Sequence, residues 1–140
     1  MFPEVLTPQP EQVDAAAPAL DALPAHIRTT ANPILQPYAP VLAHQLEGVW
    51  DHQPAMLTFH FGIPDVCVIE EAHLRDIAVG ITATCPAEAQ RIEAAGADFV
   101  VAQGWEAGGH RGCFDADATD TQLATAKLIP AIRNCTNLPI

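Results

Sequence analysis

The strongest constraint on the fold is a repeat of short apolar runs, each followed by a helix-forming stretch, in the second half of the chain. Predicted strands begin near Ala55, Ile77 and Ala97, at a spacing of roughly twenty residues. A hairpin array would place its strands about 8–12 residues apart, whereas this longer spacing leaves room for a helix between consecutive strands. The repeat therefore predicts an α/β fold with a parallel sheet built from βα units.

The limits of these elements follow from the apolar pattern and from the positions of glycine and proline. The predicted strands are residues 55–61, 77–83 and 97–102, with a fourth strand just beginning at residues 138–140. The predicted helices are residues 65–75, 86–95 and 121–133. In the second of these helices, proline occupies the first turn and Glu88 lies near the positive end of the helix dipole.

The first part of the chain differs in composition, since ten of the thirteen prolines fall within the first 64 residues. Proline interrupts the helical hydrogen-bond ladder, so this part is predicted to be irregular chain broken by short helices. The best of these helices, residues 41–50, has one apolar side, formed by Leu42, Leu46, Val49 and Trp50. The sequence therefore predicts two regions, a Pro-rich segment of residues 1–54 and a βα segment of residues 55–140.

Charge and composition narrow the classes of partner. Seventeen Asp and Glu residues against six Lys and Arg residues give a formal net charge of −11, which would repel nucleic acid and an anionic membrane surface. No run approaches the ~20 apolar residues of a membrane-spanning helix, and the first residues lack the basic and apolar parts of a signal peptide. We therefore expect a cytoplasmic protein with no nucleic-acid or membrane partner.

The cysteine and histidine spacings give no support for a metal site. The four cysteines form no C-x-x-C pair, and the six histidines contain no H-E-x-x-H motif. We expect four reduced thiols and no bound metal.

The loops that follow the strands are the predicted location of any chemistry, because the carboxyl ends of parallel strands meet at one edge of the sheet. The loop of residues 103–112, QGWEAGGHRG, is the most informative, since it holds four of the eight glycines and His110. Such glycine density serves either tight turns with positive φ or a close backbone approach to a flat or anionic ligand. A mobile surface turn with an incidental histidine remains the alternative on spacing alone.

Three segments resemble one family. Residues 96–112, GADFVVAQGWEAGGHRG, closely resemble the signature of the nitronate monooxygenases, formerly called 2-nitropropane dioxygenases. Residues 58–64, TFHFGIP, are similar to the family's S-F-H-F-G-x-P strand end, and residues 82–89, TATCPAEA, are similar to its T-A-T-x-x-E-A segment. The resemblance runs from about residue 55 to residue 140, with the segments in the family's order and spacing.

The resemblance implies an FMN-dependent (β/α)8 barrel that oxidises alkyl nitronates with O2 to a carbonyl compound and nitrite. His110 takes the position of the family's catalytic histidine, as a base or as a hydrogen-bonding partner of the nitro group. Gln103 and Gly108 fall where the family contacts FMN.

Other residues near the loop keep two interpretations each. Glu106 and Arg111 either pair with each other or are solvated, and His60 either lines the same site or is a hydrogen-bonded structural histidine. Trp105 either covers a flavin or packs on the next helix, whereas Cys85 and Cys113 are expected to be inert.

The length of the chain limits how much of a barrel it can form. A complete (β/α)8 barrel needs roughly 200 residues or more, and this chain has 140. We expect a partial barrel of three to four parallel strands, a fragment with uncovered apolar faces that could self-associate and with weak FMN binding at most. The alternatives are an FMN-type enoyl-acyl-carrier-protein reductase, whose loop is similar, and a non-catalytic fragment that packs onto another subunit.

Overall fold

The computed structural model describes residues 10–22, residue 24 and residues 41–140. The chain divides into two compact units, one formed by residues 3–45 and the other chiefly by residues 46–140. None of the helices in the described ranges is long and apolar enough to cross a membrane.

Two helices lie in the described residues of the Pro-rich part of the chain. Helix α1, Pro10–Asp21, begins with proline, which fits the first helical position because its missing N–H has no partner there. It also contains Pro18, which cannot donate to the carbonyl one turn earlier. Helix α2, Leu42–His52, matches the predicted helix within two residues and buries Leu46. Most of the other prolines in this part lie outside the described residues.

Within the described ranges, three strands pair in chain order to form a parallel sheet, which confirms the predicted α/β class. The strands are β1, Met56–Phe59, β2, Ala78–Ala83, and β3, Phe99–Ala102. The helices between and after them are α3, Val66–Leu74, α4, Pro86–Ala94, and α5, Thr125–Arg133.

Strand β3 begins at Phe99 rather than at residue 97, and two further predicted limits are wrong for local reasons. Strand β1 ends at Phe59 rather than at residue 61, because Phe61 takes a φ of 69°, which no extended strand can accommodate. Helix α5 begins at Thr125 rather than at residue 121, because Ala124 is extended and the Thr125 N–H is bound by the Glu106 carboxylate at 2.8 Å. Both differences lie in the loops at one edge of the sheet.

The two faces of the sheet differ in burial. Phe59, Ile81 and Val100 are paired in register and therefore share one face, and each is at most 5% exposed. Helices α3, α4 and α5 pack against this helix-covered face. The opposite, open face carries Met56 and Val101, which are 60% and 38% exposed. A partial barrel predicts this asymmetry, since the open face is the one that would point into a barrel interior.

Residues 138–140 lie beside β3 without forming a regular strand. The Val100 N–H donates to the Pro139 carbonyl at 2.8 Å, which is one bond of a fourth-strand ladder. The prediction of a strand just beginning at residues 138–140 therefore corresponds to a single cross-strand hydrogen bond.

Candidate functional site

The carboxyl ends of the three strands lead to His60, Thr84 and Gln103, and they meet at the same edge of the sheet. The loop that follows β3, residues 103–124, returns over the ends of β1 and β2 before α5 begins. The candidate site is built from this loop and the strand ends beneath it.

Gln103 closes the glycine-rich turn. Its main-chain N–H extends the ladder by donating to the Ala83 carbonyl at 2.9 Å. Its side-chain Oε1 accepts from the Gly112 N–H at 2.7 Å, and its Nε2 donates to the His110 carbonyl at 3.0 Å. The carboxamide thus joins the two ends of the turn, and the predicted FMN-contacting glutamine is also the residue that shapes the loop.

Arg111 holds the later part of the loop in place by an ion pair with Asp120. Its Nε and Nη2 donate to the two carboxylate oxygens of Asp120 at 2.8 and 2.9 Å, and its Nη1 donates to the Gln103 carbonyl. These hydrogen bonds raise the pKa of Arg111 and lower the pKa of Asp120 from their ordinary values. Glu106, a candidate ion-pair partner of Arg111, instead accepts from the Thr125 N–H, and the pKa of Glu106 is lowered first by a hydrogen bond from its own N–H and then by this bond.

The four glycines of the loop serve two different purposes. At Gly104 a Cβ would overlap Thr125 and Glu106, and at Gly112 it would overlap the His60 imidazole. At Gly108 and Gly109 no atom lies within 4 Å of a Cβ position, and Gly109 has a φ of 81°. Two glycines therefore allow close packing, while the other two leave the backbone at the tip of the turn open.

His110 lies at the tip of this turn with an exposed side chain. Its imidazole is perpendicular to the Phe61 ring, with 6.1 Å between the ring centroids. Since Phe61 follows β1, the side chain lies on the edge formed by the carboxyl ends of the strands and outside the apolar interior. An exposed imidazole on this edge can reach a ligand that lies over the open face.

His60 lies beneath the turn and makes hydrogen bonds in two directions. Its Nδ1 lies 3.0 Å from the Thr82 hydroxyl oxygen, and its Nε2 lies 3.4 Å from the His110 carbonyl oxygen. Both interpretations offered for this residue therefore apply, because it is hydrogen-bonded and also adjoins the loop. Sequence reasoning missed Thr82, although the register that pairs Thr58 with Gly80 places His60 opposite Thr82.

Glu88 anchors the far side of the loop. The side chain is only 7% exposed and accepts from the Thr84 N–H at 2.6 Å, the Thr84 hydroxyl at 2.8 Å and the Phe114 N–H at 2.8 Å. Sequence reasoning placed Glu88 at the positive end of α4 but missed its bond to Phe114, since nothing in the sequence shows that residues 88 and 114 meet.

A cavity of about 280 Å³ lies beside Glu88, between the start of α4 and the return of the loop. Cys85 and Cys113 line it, and all four cysteine thiols are free. Trp105 is 58% exposed. Within the described ranges, no three His, Cys, Asp or Glu side chains come together to hold a metal ion.

Comparisons with known proteins show which family the chain belongs to. The family model for nitronate monooxygenase matches residues 4–140. A nitronate monooxygenase from Paraburkholderia phytofirmans is 46% identical over 90 residues, which are 64% of this chain and 25% of that protein. The chain spans about a quarter of the length of the curated relatives it matches.

Solved structures show the same relationship. A nitroalkane oxidase from Streptomyces ansochromogenes superposes with a TM-score of 0.67 at 36% identity, over 70% of this chain and 29% of that one. A FabK mutant from Thermotoga maritima superposes with a TM-score of 0.60 at 25% identity, over 73% of this chain and 31% of that one. The three strands and their helices are part of a (β/α)8 barrel, and the chain belongs to the nitronate monooxygenase family.

Proposed function

We propose that this chain supplies the histidine-bearing wall of an FMN-dependent nitronate monooxygenase, which oxidises alkyl nitronates with O2 to a carbonyl compound and nitrite. The observation that carries the proposal is the placement of His110. Its imidazole is exposed on the edge where the strands end, while its own carbonyl oxygen is held by Gln103 and His60. A fixed backbone with a free imidazole is what a proton-transfer or hydrogen-bonding residue requires.

The backbone at the tip of the turn fits a flat ring. The open positions of Gly108 and Gly109 leave no side chain between the turn and a ligand over the open face. Gly108 and Gln103 are the residues of this chain that would contact FMN. The Arg111 guanidinium is bound to Asp120 and to main-chain carbonyls, so it is not available as a phosphate anchor. FMN, when bound, supplies electron transfer and oxygen activation.

His110 has two chemical roles available at this place. A neutral imidazole can accept a proton from the carbon next to a nitro group, or hold a nitronate oxygen with its N–H. The Phe61 ring beside it offers an apolar surface to the alkyl part of such a substrate.

The reductase alternative from the sequence has less support. The family model and the curated relatives carry the name nitronate monooxygenase, which favours that activity over the enoyl-acyl-carrier-protein reductase. Exposed Met56 and Val101 on the open face favour self-association or packing onto another subunit, which size-exclusion chromatography would detect. A cytoplasmic location stays a prediction.

Nitrite release tests the proposal. The purified protein is incubated with propane-2-nitronate, O2 and FMN in excess, because weak FMN binding is expected. We expect nitrite and acetone above the rate of FMN alone, and no oxidation of NAD(P)H by a crotonyl thioester. Nitrite at the background rate, or thioester-dependent NAD(P)H oxidation, would overturn it.

A further inference from the structure

Three neighbouring strands each place one side chain in a chain of hydrogen bonds that ends on a single atom, the His110 carbonyl oxygen. The Thr82 hydroxyl at the end of β2 contacts His60 Nδ1, and His60 Nε2 contacts the carbonyl. Gln103, after β3, donates to the same oxygen from the other side. The backbone of the residue with the free imidazole is therefore held from both sides.

The partners of His60 determine its tautomer. A carbonyl oxygen can only accept, so Nε2 must carry the hydrogen that points at His110. In the neutral ring Nδ1 is then an acceptor, and the Thr82 hydroxyl is the donor that satisfies it. Thr82 is 6% exposed, so few waters compete for this bond. The other tautomer would direct a lone pair at the carbonyl oxygen and lose the contact.

Packing against neighbouring residues also fixes the orientation of the His60 ring. The Phe61 ring lies edge-on to it with 4.2 Å between centroids, and Gly112 leaves no room for a Cβ beside it. Phe61 reaches this position with a φ of 69°, an unfavourable conformation for an aromatic residue. Strain of this kind is typical of functional sites, where the surrounding structure must compensate for it.

We propose that His60 is a positioning residue for His110, with its Nε2-protonated tautomer selected by Thr82. The inference rests on the proposed function and deepens it, because the atom that His60 holds belongs to the backbone of the proposed catalytic residue. The role is positioning rather than catalysis, because both His60 ring nitrogens already have partners, the Thr82 hydroxyl and the His110 carbonyl oxygen. Without the hydrogen bond from His60, only Gln103 would hold the His110 carbonyl oxygen. The His110 imidazole would then sample more orientations.

The first test is spectroscopic and needs no turnover. Side-chain nitrogen NMR shifts of the histidines in the intact protein report the tautomer of each neutral ring. We expect His60 to be a single Nε2–H tautomer in the natural protein and in Thr82→Ser, which keeps the hydroxyl. Thr82→Val should give a mixture of tautomers and broaden the His110 amide signal. An Nδ1–H tautomer in the natural protein, or spectra unchanged by Thr82→Val, would overturn the proposal.

A matched control separates positioning from general stability. Thr58 lies two residues before His60 on the same open face and outside the hydrogen-bond chain. Thr58→Val should leave both histidine signals in place when the two variants are compared at a temperature at which both are fully folded. If Thr58→Val broadens His110 as much as Thr82→Val does, the hydrogen-bond chain is not the cause.

The second test is kinetic. Thr82→Val should lower kcat for nitrite release about five- to tenfold, the loss expected for one hydrogen bond, with little change in KM. Thr82→Ser should restore kcat. An unchanged kcat alongside a disordered His110 would contradict the positioning role. Failure of the natural protein to release nitrite would contradict the proposed function instead, and the NMR result would then decide whether His60 orders the turn.

Discussion

At each end of the parallel strands, a histidine side chain connects neighbouring parts of the chain, but the two histidines have different hydrogen-bond partners. At the amino-end edge, His73 Nε2 lies 2.9 Å from an Asp98 carboxylate oxygen, which also accepts the Val79 N–H at 2.7 Å. At the carboxyl-end edge, His60 is held by a hydroxyl and a carbonyl. A carboxylate partner ties secondary-structure elements together, whereas the neutral partners of His60 hold a loop that presents a second imidazole.

In parallel barrels the amino-end face serves stability and the carboxyl-end face carries the active site. The two histidine contacts follow this division, since one ends in an ion pair between packed elements and the other ends beneath an exposed side chain. Substitutions at the two edges should therefore separate stability from activity.

The largest separation is expected at the tip of the turn. His110→Asn should lower the rate of nitrite release from neutral 2-nitropropane, whose α-carbon proton a base must remove, by roughly 10²–10⁴, the usual contribution of a general acid–base residue, without changing the melting temperature. The matched control at the other edge is His73→Asn, which should retain the natural rate. Equal rates in the two variants would remove the functional distinction between the edges.

The next effect concerns the anchor of the loop. In the natural protein, both Glu88 carboxylate oxygens accept hydrogen bonds from N–H or hydroxyl donors. Glu88→Gln keeps the side-chain volume but replaces one of these oxygens with an NH2 group, which cannot accept. We expect a loss of about 2–3 kcal/mol in the free energy of unfolding, measured by urea titration. Glu106→Gln, at a fully exposed carboxylate, is the control and should change it little. Similar midpoints for both variants would show that the buried bonds do not hold the loop.

A pair of glycine substitutions tests the packing within the loop. Gly112→Ala should cost about 1–3 kcal/mol in unfolding free energy, because the added methyl overlaps the His60 ring. Gly108→Ala meets no neighbouring atom and should leave stability unchanged, while weakening FMN binding if the turn lies against the ring. Equal stability of the two variants would mean that His60 does not lie against Gly112.

At the amino-end edge, a smaller loss of stability should leave activity unaffected. Asp98→Asn keeps an acceptor for Val79 but loses the charge opposite His73. Because these two side chains are 40% and 43% exposed and water screens their attraction, the expected loss of unfolding free energy is at most about 1 kcal/mol. The nitrite rate should match that of the natural protein. A rate that falls with stability would show that the two edges are coupled.

The smallest effect is a dependence on pH. Burial raises the pKa of Asp98, but the hydrogen bonds from Val79 and His73 and the His73 charge outweigh it, so the pKa is lowered overall. The contribution of Asp98 to stability is therefore complete above its unfolded pKa, about 4, and is lost as the pH falls through the lower folded value. Urea titrations at acidic pH should show a shallower loss for Asp98→Asn. A steeper loss in that variant would contradict this assignment.

The sequence was sufficient to predict the parallel sheet, because apolar periodicity and glycine stops act locally. It also placed His110, Gln103 and Gly108 in one loop at the correct edge. The choice of Asp120 rather than Glu106 as the partner of Arg111 was not predictable, since several acidic residues lie at comparable distances along the loop. The start of α5 was missed for the same reason, because it depends on a carboxylate 19 residues earlier.

The contact between His60 and Thr82 could have been predicted. Once β1 and β2 are taken as neighbouring parallel strands, the register fixes which side chains share a face at each step. The position of Phe61 could not, because its ring meets the His110 imidazole, which lies 49 positions later in the chain.

The proposed function requires the His110 imidazole to face the ring of FMN. A titration with FMN, monitored through the ring NMR signals of the histidines, tests this requirement most directly. On addition of FMN to the intact protein, the His110 ring signals should shift progressively through the ring current of the flavin, while those of His73 at the opposite edge stay in place. Movement of His73 with no movement of His110, or no movement of either ring in excess FMN, would contradict the account.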